Sequence, residues 1–249
     1  MDDFHYASPE IQYDIACQLK EVIRMGFKAV IISLPYRSDD AIRLNPDLTG
    51  RISVIEIEPW KSQELQEIAR KGFQALKISV DEELIEKMAL ESIHSPQLMQ
   101  SICLNIGLLP GDNPEISVDV IEDSCRFTCT NLPYGDVVRV LKAGPPTRGQ
   151  KRLRYNLTDK SQRDVYSLIL KVLADNPTLV EIDMEELLQR ILKNLDSIKI
   201  AMQKVKDALK NWQKMLADYG PMYQVFEWKD DVIHIQDNLF LFYLRWSSI

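Results

Sequence analysis

Residues 28–34, KAVIISL, form an unbroken apolar run that is rich in β-branched side chains and closed by Pro35. A run this short, with no polar alternation, suits a strand buried on both faces, as in a parallel sheet. A helical pattern precedes it. Ser8 followed by Pro9 is a helix start, and Ile11, Ile15, Leu19, Val22 and Ile23 then recur at helical spacing until Gly26. RISVIEIEPW, residues 51–60, is the second expected strand, its apolar residues interrupted by polar ones. The first third is therefore expected to be α/β.

Beyond residue 60 the pattern is mostly helical. Helices are expected over 61–75, 81–92 and 95–107, the last with Ser95 as cap and Pro96 at the first helical position. GLLPGDNP, residues 107–114, reads as a linker. A less regular helical stretch then runs to Leu141, and AGPPTRGQ forms a second break. From about residue 160 the expected order is helix (162–174), strand (TLVEID), helix (184–194), long helix (198–218) and hairpin (VFEWKDDVIHIQ), then the apolar NLFLFYLRW. Helix, strand, helix, helix and a two-stranded wing turning at Lys229, Asp230 and Asp231 is the order of a winged helix. This part is expected to fold by itself around Trp212, Trp228, Phe240 and Trp246. The domains expected are 1–60, 61–110, 111–159 and 160–249.

With 249 residues, 45% hydrophobic and 27% charged, the chain has the composition of a globular protein large enough for more than one domain. A net charge of −7 argues against a general nucleic-acid coat. Local basic stretches survive within that average: RGQKRLRYNLTDKSQR, and Lys199, Lys204, Lys206, Lys210 and Lys214 on the long helix. Lys204, Lys206 and Lys210 are the candidate DNA contacts, with docking of the helix within the chain or onto a partner as the other reading. Cys17, Cys103, Cys125 and Cys129 do not resemble a disulfide framework, and no basic-then-apolar leader precedes Asp2, so a reducing, cytoplasmic setting is expected. NLFLFYLRW is far short of the roughly 20 residues of a membrane span, and no membrane partner is expected.

The opening MDDFHYASPEIQ carries two consecutive acids, which are either solvated terminal residues or a functional pair. DDFHYASPE, the following helix, KAVIISLPYR, NPDLTGRISVIEIEPWKSQELQEIARKGF and the helical SPQLMQSICLNIG together resemble the second half, from Walker B onward, of an AAA+ or STAND-type P-loop ATPase of the origin-initiator kind. With the winged helix included, the resemblance covers most of the chain. The fold it implies is an α/β remnant of a P-loop core (residues 1–60), a helical lid (61–110), a helical connector (111–159) and a C-terminal winged helix (160–249), α+β in class. It also implies site roles. Asp2 would orient the water shell of Mg²⁺, and Asp3 would activate the attacking water. Ser33, or failing that Arg37, would be the polar sensor after the strand. Arg51, in LTGR, would be an arginine finger reaching the γ-phosphate of a neighbouring subunit.

The lid departs from the family pattern, because Gln97 stands in SPQLMQ where arginine is common; an amide can reach phosphate but brings no charge. The sequence contains no GxxxxGK[ST]. GPPTRGQK, residues 144–151, has similar glycine spacing, but its lysine is displaced by one and its prolines remove N–H groups that a phosphate loop needs. The chain is thus expected to begin at the Walker B acids, with the phosphate-loop half supplied elsewhere; in the family, the phosphate-loop strand lies between those corresponding to 28–34 and 51–58. ATP and Mg²⁺ are expected only for the completed module and no cofactor for this chain alone. The expected partners are the Walker A half or a partner protein, further copies of the chain, and DNA. Two functions follow: a nucleotide-dependent switch or oligomerising regulator, or a non-enzymatic adaptor or DNA-binding protein derived from such an ATPase. Cys125 and Cys129, one helical turn apart, could join His94 or His5 on a metal, but two small, commonly buried residues on one helix face are better read as core.

Overall fold

A computed structural model describes the chain except for residues 3, 5, 6, 34–41, 43, 44, 49, 56, 110–114, 148, 150, 197, 198, 220–222, 248 and 249. The described residues are mostly helical with small antiparallel sheets, an α+β arrangement. They divide into two compact units, Met1–Glu58 and Pro59–Ile249.

In the first unit, helix α1 spans Pro9–Arg24. Ser8 Oγ accepts from Ile11 N–H at its start, the local bond that the Ser-Pro pair anticipates. Phe4, Ala16, Ile42 and Leu48 form the buried cluster, and Ile15, Leu19, Ile23 and Ile31 pack against it. The expectation of a strand over 28–34, buried on both faces, needs correction. Residues 27–33 are extended without strand assignment, and Val30 and Ile32 are exposed while Ile31 turns inward. The cause is cover: the cluster meets this segment at Ile31, and Phe27, Ala29, Val30 and Ile32 are left exposed. Among the described residues of 51–60 there is likewise no strand, and Ile55 and Ile57 are 85% and 86% exposed.

The second unit begins with α2 (Ser62–Leu76), α3 (Glu82–Glu91) and α4 (Pro96–Gly107), each within a residue or two of the sequence expectation. The irregular helical stretch resolves into α5 (Val118–Thr130) and α6 (Gly135–Ala143). Ser95 and Ser117 cap α4 and α5 with their hydroxyls, a bond typically contributing about 1 kcal/mol. Gly144 ends α6 at φ +59°, and a Cβ there would come within 2.7 Å of the Tyr166 ring. This glycine of GPPTRGQK therefore serves a helix end pressed against an aromatic ring.

Two short strands that the sequence pattern did not disclose follow: β1 (Tyr155–Asn156) pairs antiparallel with β2 (Gln162–Arg163). That pairing delays the next helix, α7 (Val165–Leu173), to Asp164, whose carboxylate caps it through Ser167 N–H. Strand β3 (Glu181–Asp183) leads directly into α8 (Met184–Asn194), and α9 (Met202–Tyr219) follows. The start of α9, at Met202, is later than the expected 198; ahead of it the chain is tied to the β1 hairpin, Asp196 N–H donating to Asn156 O and Leu157 bridging Leu195. Strands β4 (Phe226–Lys229) and β5 (Val232–Ile235) complete an antiparallel sheet in the order β3-β5-β4. Asp230 and Asp231 both adopt positive φ, the conformation of a two-residue hairpin turn. Helix α10 spans Asn238–Trp246.

One continuous core runs from Leu65 on α2 to Leu244 on α10. Helix α7 is apolar nearly all round and sits within it, Leu168, Ile169, Leu170 and Val172 being fully enclosed. Polar ties cross from the early helices to the late elements. Trp212 Nε1 donates to Leu141 O at 2.8 Å, Asn238 Nδ2 to Ile93 O at 2.8 Å, and Tyr134 Oη to Asp237. Residues 160–249 therefore share their interior with α2–α6, contrary to the expectation that they enclose a core of their own. Trp212 and Phe240 lie in it, whereas Trp228 and Trp246 pack at its margin.

Candidate functional site

The amino terminus makes the pattern of a parallel β-pair with residues 30–32. The Met1 ammonium donates to Val30 O at 2.7 Å, and Ile32 N–H donates to Met1 O at 2.9 Å. A residue that donates to the position before its neighbour and accepts from the position after it is slanted in the parallel sense. Phe4 N–H then donates to Ile32 O at 3.1 Å. Met1 thus stands opposite Ile31 and Asp2 opposite Ile32, so Asp2 and Ser33 fall at the same end of the pair. Asp2 is exposed and Ser33 half-buried. Asp3, Arg37 and His5 lie outside the described residues.

The other nucleotide candidates are exposed. Arg51 occupies the turn after a single 3-10 turn, Pro46–Leu48, and its N–H donates to Leu48 O at 3.0 Å. Among the described residues, no hydrogen bond or ion pair of the Arg51 side chain joins it to Asp2 or Ser33. Gln97, in the second unit, is exposed in the first turn of α4.

The basic face is built on α9. Val205, Ala208, Leu209, Trp212 and Leu216 turn inward, leaving Gln203, Lys204, Asp207, Lys210 and Lys214 exposed. The three lysines proposed for DNA differ in setting. Lys204 Nζ lies 5.5 Å from the centre of the Tyr155 ring, a cation–π arrangement. Lys206 Nζ is 2.6 Å from Asp231 Oδ2 in the turn of the β4–β5 hairpin, so its charge is already met. Lys210 is exposed with no partner among the described residues. Asp231 also accepts at its backbone oxygen from Met184 N–H, which ties the turn to the start of α8. Asp231 was expected in the wing turn and Tyr155 in a basic stretch, but no sequence signal paired them with Lys206 and Lys204, whose environments they set.

Cys103, Cys125 and Cys129 are buried. Burial pushes the Cys103 thiol up to about 12 and that of Cys129 up to about 11, and raises Cys125 too, with a smaller contribution from Glu91. These are protonated core thiols at neutral pH. His94 Nδ1 lies 2.9 Å from Trp60 O. Among the described residues, no three His, Cys, Asp or Glu side chains gather as metal ligands, and no helix is long and apolar enough to cross a membrane.

Comparison with known proteins leaves the reading to these residues: no family model, curated protein or solved structure matches the chain.

Proposed function

We propose that the chain is the C-terminal part of an AAA+/STAND-like ATPase, a nucleotide-dependent switch or oligomerising regulator whose phosphate-loop half lies outside this sequence. The observation that carries it is the parallel pairing of Met1 with Val30 and Ile32, which sets Asp2 and Ser33 at one end of two adjacent segments. A metal-orienting acid and a polar sensor need that placement to address the same phosphate. The exposed Ile55 and Ile57 add support, since they are apolar side chains that a further segment of the completed module would cover. In this reading Asp3 activates water, Arg51 acts on a neighbouring subunit's nucleotide, and Gln97 is a weak lid contact. ATP and Mg²⁺ bind only the completed module.

The test is a fusion that places a strand, phosphate loop, helix and strand ahead of Met1. It is expected to bind and hydrolyse Mg·ATP, and Asp3→Asn is expected to abolish turnover while sparing binding. A fusion that folds but binds no ATP contradicts the proposal.

A second reading, a winged helix that binds DNA or a protein, draws on the order α7, β3, α8, α9, β4, β5 and on the exposed Lys204, Lys210 and Lys214 of α9. In such a domain the second helix of the helix–turn–helix enters the major groove, and its lysines meet phosphates.

A further inference from the structure

A cavity of about 540 Å³ lies between α6 and α10, lined by Gly135, Val138, Arg139, Lys142, Tyr243 and Ser247. Its polar side chains share one property: each carries hydrogen to donate, and none is a carboxylate. Lys142 and the Tyr243 hydroxyl have no hydrogen-bond partner among the described residues. Ser247 lines the cavity with other atoms, its Oγ being shielded from solvent. Arg139 gives one nitrogen to Asp136 Oδ1 at 2.7 Å, and its guanidinium has other N–H groups to offer. Arg139 and Lys142 are three apart on α6 and so share a face.

The carbonyl end of α6 would oppose an anion there, but it is already covered. Arg152 donates to Ala143 O and to Pro145 O, and its guanidinium lies over the Tyr166 ring 4.7 Å from the centre. The last carbonyl of α6, Ala143 O, is thus met by a positive charge.

We propose that this cavity is a binding site for a phosphate monoester. A tetrahedral dianion offers acceptors in several directions, matching two cationic side chains from α6 and the Tyr243 hydroxyl of α10. The volume lies within the range of small-molecule sites and exceeds what a lone phosphate would fill, so the ester's organic part rests against Val138 and Gly135. A Cβ at Gly135 would stand 3.5 Å from Tyr243 Oη, in ordinary contact with it. The site is built from the second unit alone and does not depend on the ATPase proposal.

The test is calorimetric titration of the full chain with glycerol phosphate, inorganic phosphate and citrate. Saturable one-to-one binding of glycerol phosphate is expected, stronger than inorganic phosphate, with citrate at least tenfold weaker. Arg139→Gln and Lys142→Gln, both at exposed positions that leave the core intact, are each expected to weaken glycerol phosphate at least tenfold. Tyr243→Phe is expected to weaken it severalfold, and Lys210→Gln, remote on α9, to leave it unchanged. Absence of saturable binding, equal loss in Lys210→Gln, or citrate binding as tightly as the phosphate ester overturns the proposal. Inorganic phosphate binding as tightly as the ester overturns the assignment of the organic part.

Discussion

Glu91 and Arg245, 154 positions apart, form a two-point ion pair: Arg245 Nε lies 2.5 Å from Glu91 Oε2, and Arg245 Nη2 lies 2.8 Å from Oε1. Glu91 is 6% exposed, so the pair joins α3 to α10 inside the protein. Removing one member of a buried pair strands the other charge, at a cost of about 3–5 kcal/mol, whereas replacing both with apolar residues is often nearly neutral. Urea denaturation is expected to show Arg245→Met strongly destabilised, with Glu91→Leu/Arg245→Met recovering most of that loss. A double variant no better than the single one would mean that the charges themselves stabilise the fold.

The thiols give a pH prediction. A thiol near 8.5 in the unfolded chain that is held at about 12 for Cys103 and about 11 for Cys129 keeps its proton longer when folded. Between those values the unfolded state binds fewer protons, so stability is full below about pH 8.5 and falls as pH rises above it. Replacing Cys103 and Cys129 with alanine is expected to flatten the alkaline fall measured by urea denaturation from pH 8 to 10. Under native conditions Cys17, which is exposed, is expected to react with a thiol reagent far faster than the three buried cysteines. Equal rates at all four would contradict the buried core.

Helix starts were legible in the sequence because their cause is local: Ser8, Ser95 and Asp183 each bond an N–H three positions along. Pairings between distant residues leave no such mark. The hairpin of Tyr155–Asn156 with Gln162–Arg163 hides in a basic stretch, and nothing near Glu91 announces Arg245. The run KAVIISL shows apolarity but not what covers it, which is why two buried faces were expected where Ile31 alone turns inward. At the candidate site the acid pair and Ser33 were visible as residue types, whereas their register needed the backbone bonds of Met1 and Ile32. Lys204, Lys206 and Lys210 look equivalent in sequence and become unequal only through Tyr155 and Asp231.

That inequality predicts a graded effect on DNA. Each phosphate contact contributes about 0.9 to the slope of log affinity against log salt on duplex DNA. By fluorescence anisotropy, Lys210→Gln and Lys204→Gln are each expected to flatten the slope by about one, and Lys206→Gln by clearly less. Asp231→Asn, which releases Lys206, is expected to steepen it. Salt-independent binding, or no change in any variant, would favour docking of α9 onto a protein.

The shared core predicts that residues 160–249 alone lose fixed packing. Cutting there exposes Leu168–Leu170 of α7 and removes the Leu141 carbonyl from Trp212. The fragment is expected to keep far-ultraviolet helix signal while losing near-ultraviolet aromatic dichroism. Sharp cooperative unfolding of the fragment, as stable as the whole chain, would show that it stands by itself.

The ATPase proposal stands on Met1, Val30 and Ile32 being neighbours in a parallel pair. Residue-resolved hydrogen exchange on the full chain addresses this directly: the Ile32 amide, bonded to Met1 O, and the Phe4 amide, bonded to Ile32 O, are expected to exchange at least about tenfold more slowly than those of Val54, Ile55 and Ile57. Exchange at Ile32 and Phe4 as fast as at residues 54–57 would contradict the pairing, and with it the placement of Asp2 beside Ser33.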